Sequence, residues 1–416
     1  TWEMAEPMAP YLATVQIGRY EARELENGVI VIAPPDLSGA EYDASFGQQP
    51  AMMEFFESVF GDYPFDDYTV VVTDDPLEIP LESQSLSTFG RNFASSEWNT
   101  VRLVAHELAH SWSGNLVTNA TWADFWLNEG MTTYAERRIV EEVYGSRMAV
   151  QQVALGIDAQ DKAVADAGGL TGPDTRLHID LKGRHPNDGL TDIAYEKGAA
   201  FLRMIEATVG RDKFDGWLKG WFDRHRFQPV TSALFLADLR ANLIKGDTAL
   251  EARLMLDDWV YKPGIPANAI KADAQAFAAV DSASSAFASG GAPDVTAWNG
   301  YTTDERLRFL NRLPRKLGTP RLDTLASAFA LGSSTNNEVI FAWLDLATQN
   351  RYDPAVAALT AFLTSVGRGK FVRPLYKTLY ADAKWGRPIA QRLYAEARPL
   401  YHPLVTRDVD KVMAGK

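Results

Sequence analysis

Two histidines one helical turn apart, His106 and His110, with a glutamate directly after the first, constrain this chain more than any other feature. They lie in Val101-Arg102-Leu103-Val104-Ala105-His106-Glu107-Leu108-Ala109-His110, a stretch with helical propensity and no breaker. Residues i and i+4 of a helix share a face, so both imidazoles can reach one tetrahedral metal ion at about 2.0 to 2.1 Å. Glu107 projects to a neighbouring side, where it can touch a metal-bound water without being a ligand. The chain has no cysteine, which excludes a thiolate zinc site, a disulfide framework and a Cys nucleophile and leaves His and carboxylate to hold a metal.

A catalytic zinc needs a third protein ligand and one open position. Residues 111 to 128 separate His110 from Glu129, which sits at the start of a second helical run, Asn128-Glu129-Gly130-Met131-Thr132-Thr133-Tyr134, after an aromatic turn holding Trp122, Phe125 and Trp126. An unpaired carboxylate among these rings would be costly, so a metal partner accounts for it best. Glu136 follows seven residues later on the same face, placed to hydrogen-bond a ligand imidazole; taken alone it reads equally as a surface residue. The other histidines, His178, His185, His225 and His402, show no ligand spacing.

The chain is long enough for two or three domains: 416 residues, 46% of them hydrophobic. Lys plus Arg number 41 against 54 Asp plus Glu, a formal net charge of -13, which argues against a nucleic-acid backbone or an anionic lipid surface as partner. No apolar run approaches the roughly 20 residues that span a bilayer, so the chain reads as soluble. Its compartment stays open, cytoplasmic or periplasmic/secreted, because the sequence starts at Thr1 inside what reads as a strand (Tyr11 to Ile17) and the N-terminus looks truncated.

Strand signals fill the first hundred residues: alternation from Leu12 to Ile17, the apolar run Val29 to Ile32, the β-branched run Tyr68 to Thr73, and an edge strand over 81–86 after Pro80. Helical spacing covers 50–60, and helices dominate from residue 98. The breaker cluster Lys262-Pro263-Gly264-Ile265-Pro266 marks a domain boundary. Beyond it, short amphipathic helices follow one another: one opens at Thr319-Pro320 and is closed by Gly332, another opens at Asp353-Pro354 and is closed by Gly367. Such helices stack as hairpins in helical solenoids.

The stretch His106 to Glu136, HELAHSWSGNLVTNATWADFWLNEGMTTYAE, resembles the gluzincin signature of M1 metallo-aminopeptidases, HExxH followed after eighteen residues by Glu, and is most similar to the leukotriene A4 hydrolase and aminopeptidase B branch. Two further segments are similar. Ala194-Tyr195-Glu196-Lys197-Gly198 resembles the family segment whose tyrosine stabilises the tetrahedral intermediate, which makes Tyr195 the candidate. Gly367-Arg368-Gly369-Lys370-Phe371-Val372-Arg373 resembles the segment whose Arg and Lys recognise a substrate carboxylate; alone, Arg368 and Lys370 are a solvated basic face.

The resemblance implies an α+β, mostly helical fold: residues 1–22 as the remnant of an N-terminal β domain largely missing here, a thermolysin-like zincin catalytic domain over 23–264, and an α-helical, solenoid-like C-terminal domain over 265–416. It implies one Zn2+ per chain held by His106, His110 and Glu129, with Glu107 and Tyr195 catalytic. Where the family usually has Gly-Xaa-Met-Glu-Asn, this chain has Ile79-Pro80-Leu81-Glu82-Ser83, keeping the glutamate that grips the substrate's free amine as Glu82. The expected function is a zinc-dependent aminopeptidase acting as a monomer on peptides with a free N-terminus. A catalytically silent peptide-binding member of the same fold is the alternative, separated by metal analysis and an aminoacyl amide assay. Lipid-epoxide hydrolysis ranks lower, because Asn187 and Leu190 stand where the epoxide-hydrolysing relatives carry an aspartate and a tyrosine.

Overall fold

The structure, a computed structural model, describes residues 4–37, 39–75, 77–94 and 98–415. It divides into two compact units: Thr1–Asp75 with Ile79–Ala276, and Pro76–Glu78 with Phe277–Lys416. The segment 265–276, beyond the breaker cluster, belongs to the first unit. Gly264 N–H donates to Thr175 Oγ1 at 2.7 Å and Arg203 to the Ile270 carbonyl at 3.1 Å, tying that stretch down.

The first unit opens with a five-stranded sheet: β1 (Glu21–Glu24), β2 (Val29–Ala33), β3 (Tyr68–Thr73), β4 (Leu81–Ser83) and β5 (Leu86–Gly90), in the order β1-β2-β3-β5-β4. β2, β3 and β5 run parallel, and β3 is buried along nearly its whole length, which accounts for its unbroken β-branched run. β4 lies antiparallel on β5 at the edge, with Glu82 opposite Ser87. The expected strand from Tyr11 to Ile17 is absent. A 3-10 turn, Pro10–Leu12, stands there instead, and Tyr11 and Gln16 bond through their side chains, to Thr118 Oγ1 at 2.6 Å and Thr88 Oγ1 at 2.9 Å, rather than joining a backbone ladder.

Helices α1 (Gly39–Phe46), α2 (Gln49–Phe60), α3 (Trp98–Ala109), α4 (Trp126–Tyr144), α5 (Ser146–Asp166), α6 (Gly198–Val209) and α7 (Arg211–Arg224) pack around and beyond this sheet, with one π-helical turn, Ile193–Lys197, running into α6. Aromatic side chains join them: Phe60 packs against Trp112 and Phe222, and Trp126 against Phe201 and Phe235. α4 and α6 touch backbone to backbone, because a Cβ on Gly130 would lie 2.8 Å from the Gly198 Cα, and the reverse.

In the second unit, helices 278–288, 303–312, 337–349, 369–381 and 403–413 pack in succession as one layer. Helix 295–300 with 319–329, and 356–365 with 386–397, make a second layer, the two-layer stacking of a solenoid. The helix opened at Thr319 ends at Ala330, which takes a left-handed φ of 49°, two residues before the glycine expected to close it. Asp353–Ala355 forms a 3-10 turn before its helix, Val356–Ser365, which stops before Gly367. Among the described residues no helix is long and apolar enough to cross a membrane.

Candidate active site

α3 carries His106 and Glu107 in its last turn, and His110 follows immediately after it; α4 brings Glu129 in its first turn. The three candidate ligands are buried, and one donor atom from each lies within 4.8 Å of the others. His106 Nε2 is 3.2 Å and His110 Nε2 3.6 Å from Glu129 Oε2. Donors about 2.05 Å from a tetrahedral ion stand about 3.3 Å apart, so these separations are edges of a zinc-sized tetrahedron.

The far side of each imidazole is held. His106 Nδ1–H donates to Glu136 Oε2 at 3.1 Å, and His110 Nδ1–H to the Ser113 carbonyl at 2.9 Å, beside the Thr132 hydroxyl at 3.1 Å. With a metal bound, these partners suit the tautomers whose Nε2 lone pairs face it. Burial opposes the Glu136 charge, but Arg102, bonded to it at 3.2 Å, and His106 hold its carboxyl down at about 2.

Glu107 is buried and its Oε2 has no hydrogen-bond partner among the described residues. Burial pushes its carboxyl well above the usual range; His106 lowers it, while Glu82, Glu129 and Glu136 push it further up. Glu82, on the edge strand, brings a carboxylate oxygen within 4.8 Å of Glu107 and of His110. Four acids thus crowd one buried place. A divalent cation answers both that excess and the convergent Nε2 atoms, so the donor set fits zinc.

Tyr195 lies on the π turn, its ring stacked on His106 at 6.3 Å and edge-on to Phe125 at 6.2 Å. Burial first, and then the charges of Glu129 and Glu82, drive its phenol far above the ordinary value. The hydroxyl therefore keeps its proton and can donate it in a hydrogen bond.

Arg368 and Lys370 are placed in the second unit. Arg368 caps the helix Gly369–Ala381 and donates to the Glu78 carbonyl at 2.9 Å, and Lys370 pairs with Glu338. Asn187 falls where its side chain lies outside the described residues. Sequence reading missed Arg102, Ser113 and Thr132, which orient the imidazoles and Glu136, and the Gly130 to Gly198 contact. Arg102 alone left a signal, one turn before His106.

The description "Peptidase family M1 domain" matches residues 44–259, and "Leukotriene A4 hydrolase, C-terminal" matches residues 301–413. Leucine aminopeptidase 2 of Neosartorya fischeri is 32% identical over 425 residues, 99% of this chain and 67% of that protein. Leucine aminopeptidase 2 of Ajellomyces capsulatus is 30% identical over 423 residues, 98% of this chain and 66% of that protein. The chain thus spans about two thirds of the length of these relatives. Among solved structures, yeast LTA4 hydrolase in complex with bestatin has the same fold, with a TM-score of 0.85 at 22% identity over 95% of this chain and 67% of that one. The chain belongs to peptidase family M1.

Proposed function

We propose that the chain removes the N-terminal residue from peptides with a free amino group, using His106, His110 and Glu129 as zinc ligands and Glu107 and Tyr195 as catalytic groups. One observation carries this reading: both Nε2 atoms turn toward Glu129 while the buried Glu107 Oε2 beside them has no hydrogen-bond partner among the described residues. Zinc in such a site supplies Lewis acidity, making water nucleophilic near neutral pH and polarising a carbonyl. Glu107 takes the proton of the attacking water and returns it to the departing amine. The Tyr195 hydroxyl donates a hydrogen bond to the oxygen on which charge develops. Glu82 accepts from the substrate ammonium on the edge strand, leaving room for a single residue before the bond cut.

Arg368 and Lys370 lie in the segment matched to the leukotriene A4 hydrolase C-terminal region, which supports giving them the far carboxylate of the substrate; Arg368→Ala then raises KM with little change in kcat. The protein works as a monomer, which light scattering checks. The decisive experiment is Glu107→Gln assayed on aminoacyl amides, free and N-acetylated. We expect zinc content to stay, turnover to fall by about 10² to 10⁴, and the wild type to reject the acetylated substrates. Full activity of Glu107→Gln with zinc bound would overturn the role of Glu107, and equal cleavage of blocked substrates that of Glu82.

A further inference from the structure

A cavity of about 290 Å³ lies within the first unit, walled by α4, α5, α6 and the π turn. Its wall on α4 is the stripe Tyr134, Arg137, Arg138 and Glu141, distinct from the stripe of Glu129, Thr132 and Glu136 that serves the metal site. Its floor is aliphatic and small: Ala149, Val150, Val153 and Ile157 from α5, Ala199 and Ala200 from α6. Gly156 makes room there, since a Cβ would lie 2.5 Å from both Arg137 and Glu196.

Most of the charges over this floor, which include Lys271 and Asp273, are matched. Arg137 pairs with Glu196 at 2.8 Å, Arg138 with Asp215 at 2.8 Å, and Arg211 with Glu206 at 2.6 Å and Glu141 at 2.8 Å. Arg203 has no carboxylate partner among the described residues; it donates to the Ile270 carbonyl at 3.1 Å. Arg137 Nε is buried with no partner among the described residues. Burial, and then repulsion from Arg137, lowers the Arg203 guanidinium to about 10, with Glu196 and Glu206 offsetting only part. A half-buried guanidinium without a counter-ion is costly, and an incoming carboxylate would relieve that cost. Concave sites with an apolar lining and a few convergent polar groups are where small ligands bind.

We propose that this cavity binds a small monocarboxylate with an apolar tail, the carboxylate meeting Arg203 and Arg137 and the tail lying on the α5 and α6 floor. The two parts demand each other: an inorganic anion leaves the aliphatic floor wet, and a neutral hydrocarbon leaves Arg203 unpaired. The bound carboxylate lies next to the Arg137 to Glu196 pair, and Glu196 directly follows Tyr195 in the π turn.

The test is calorimetric titration of octanoate into the zinc-loaded chain with the metal site blocked by an amino-acid hydroxamate, so that carboxylate binding to zinc does not contribute. One equivalent should bind with the hydroxamate present. Arg203→Met, which removes the charge, and Val153→Phe, which fills the floor, should each weaken binding at least tenfold while zinc content and melting temperature hold. Acetate and octanol should not displace octanoate. Absence of binding to the wild type, loss of binding on adding the hydroxamate, or equal affinity in both variants would overturn the proposal. Because binding and not hydrolysis is read, failure here is distinct from failure of the peptidase assignment.

Discussion

Helix α4 serves two charged regions of opposite sign. Toward α3 it contributes Glu129 and Glu136 to a group of four acids, three of them buried; toward α5 it contributes Arg137 and Arg138 to an arginine-rich cavity. Most of the cavity arginines have carboxylates beside them, so they hold helices together without asking for anything more. The acids differ, for among the described residues Glu107 keeps a buried oxygen with no hydrogen-bond partner, and both imidazole Nε2 atoms converge on Glu129. The number of charges does not mark a site. What marks it is the group left over when every internal pairing has been made, Glu107 on one face and Arg203 on the other.

The sharpest way to break this contrast is to delete a metal donor. Glu129→Ala should lose zinc on dialysis and drop hydrolysis further than Glu107→Gln does, to the uncatalysed level; metal analysis and the amide assay read both. Tyr195→Phe leaves the donor set intact and should cut kcat by about 10² to 10³ with KM little changed. A variant as fast as the wild type would remove Tyr195 from the chemistry. Glu136→Gln loosens the grip on His106, and zinc affinity measured against a competing chelator should fall by about 10- to 100-fold.

The smallest effect sharpens the comparison from the turn that joins the two regions. Lys197 is fully buried and, among the described residues, donates to the carbonyls of Thr175, at 2.8 Å, and Lys262, at 3.4 Å, so burial pushes its ammonium down to about 7. Below pH 7 the folded and unfolded chains both hold this proton and it adds no slope. Between that folded value and the ordinary lysine range the unfolded chain holds more protons, so stability rises with pH by up to about 1 kcal/mol per unit. Lys197→Met should flatten this part of the curve; denaturant midpoints at pH 7 and 9 that shift as much in the variant as in the wild type would sink the idea.

The three candidate donors that the fold brings together were legible because their information is local: two histidines at helical spacing, and a glutamate at the start of a helix amid rings. The start of the edge strand was legible for the same reason, since Pro80 announces where a ladder can begin, but the strand expected over 81–86 ends at Ser83 and Leu86 already belongs to β5. The 3-10 turn at Pro10–Leu12 was not, because an alternating pattern says that one face is buried but not whether a neighbour offers backbone or side chains to bond. Ala330 ending a helix left-handed defied composition, which favours glycine there. The cavity behind α4 could not be read at all. Its arginines and their partners come from segments up to 77 residues apart, as with Arg138 and Asp215, and pairing at that distance leaves no periodic trace.

The division of α4 into two stripes has a consequence for how this enzyme can change length. Inserting one residue between Glu129 and Arg137 turns everything beyond it by about 100°, swinging Glu136 off His106 and an arginine toward the metal. Seven inserted residues, close to two whole turns, would restore the azimuth but carry the distal half along the axis by about 10 Å. Point changes can accumulate along this helix, whereas its length between those two positions is locked.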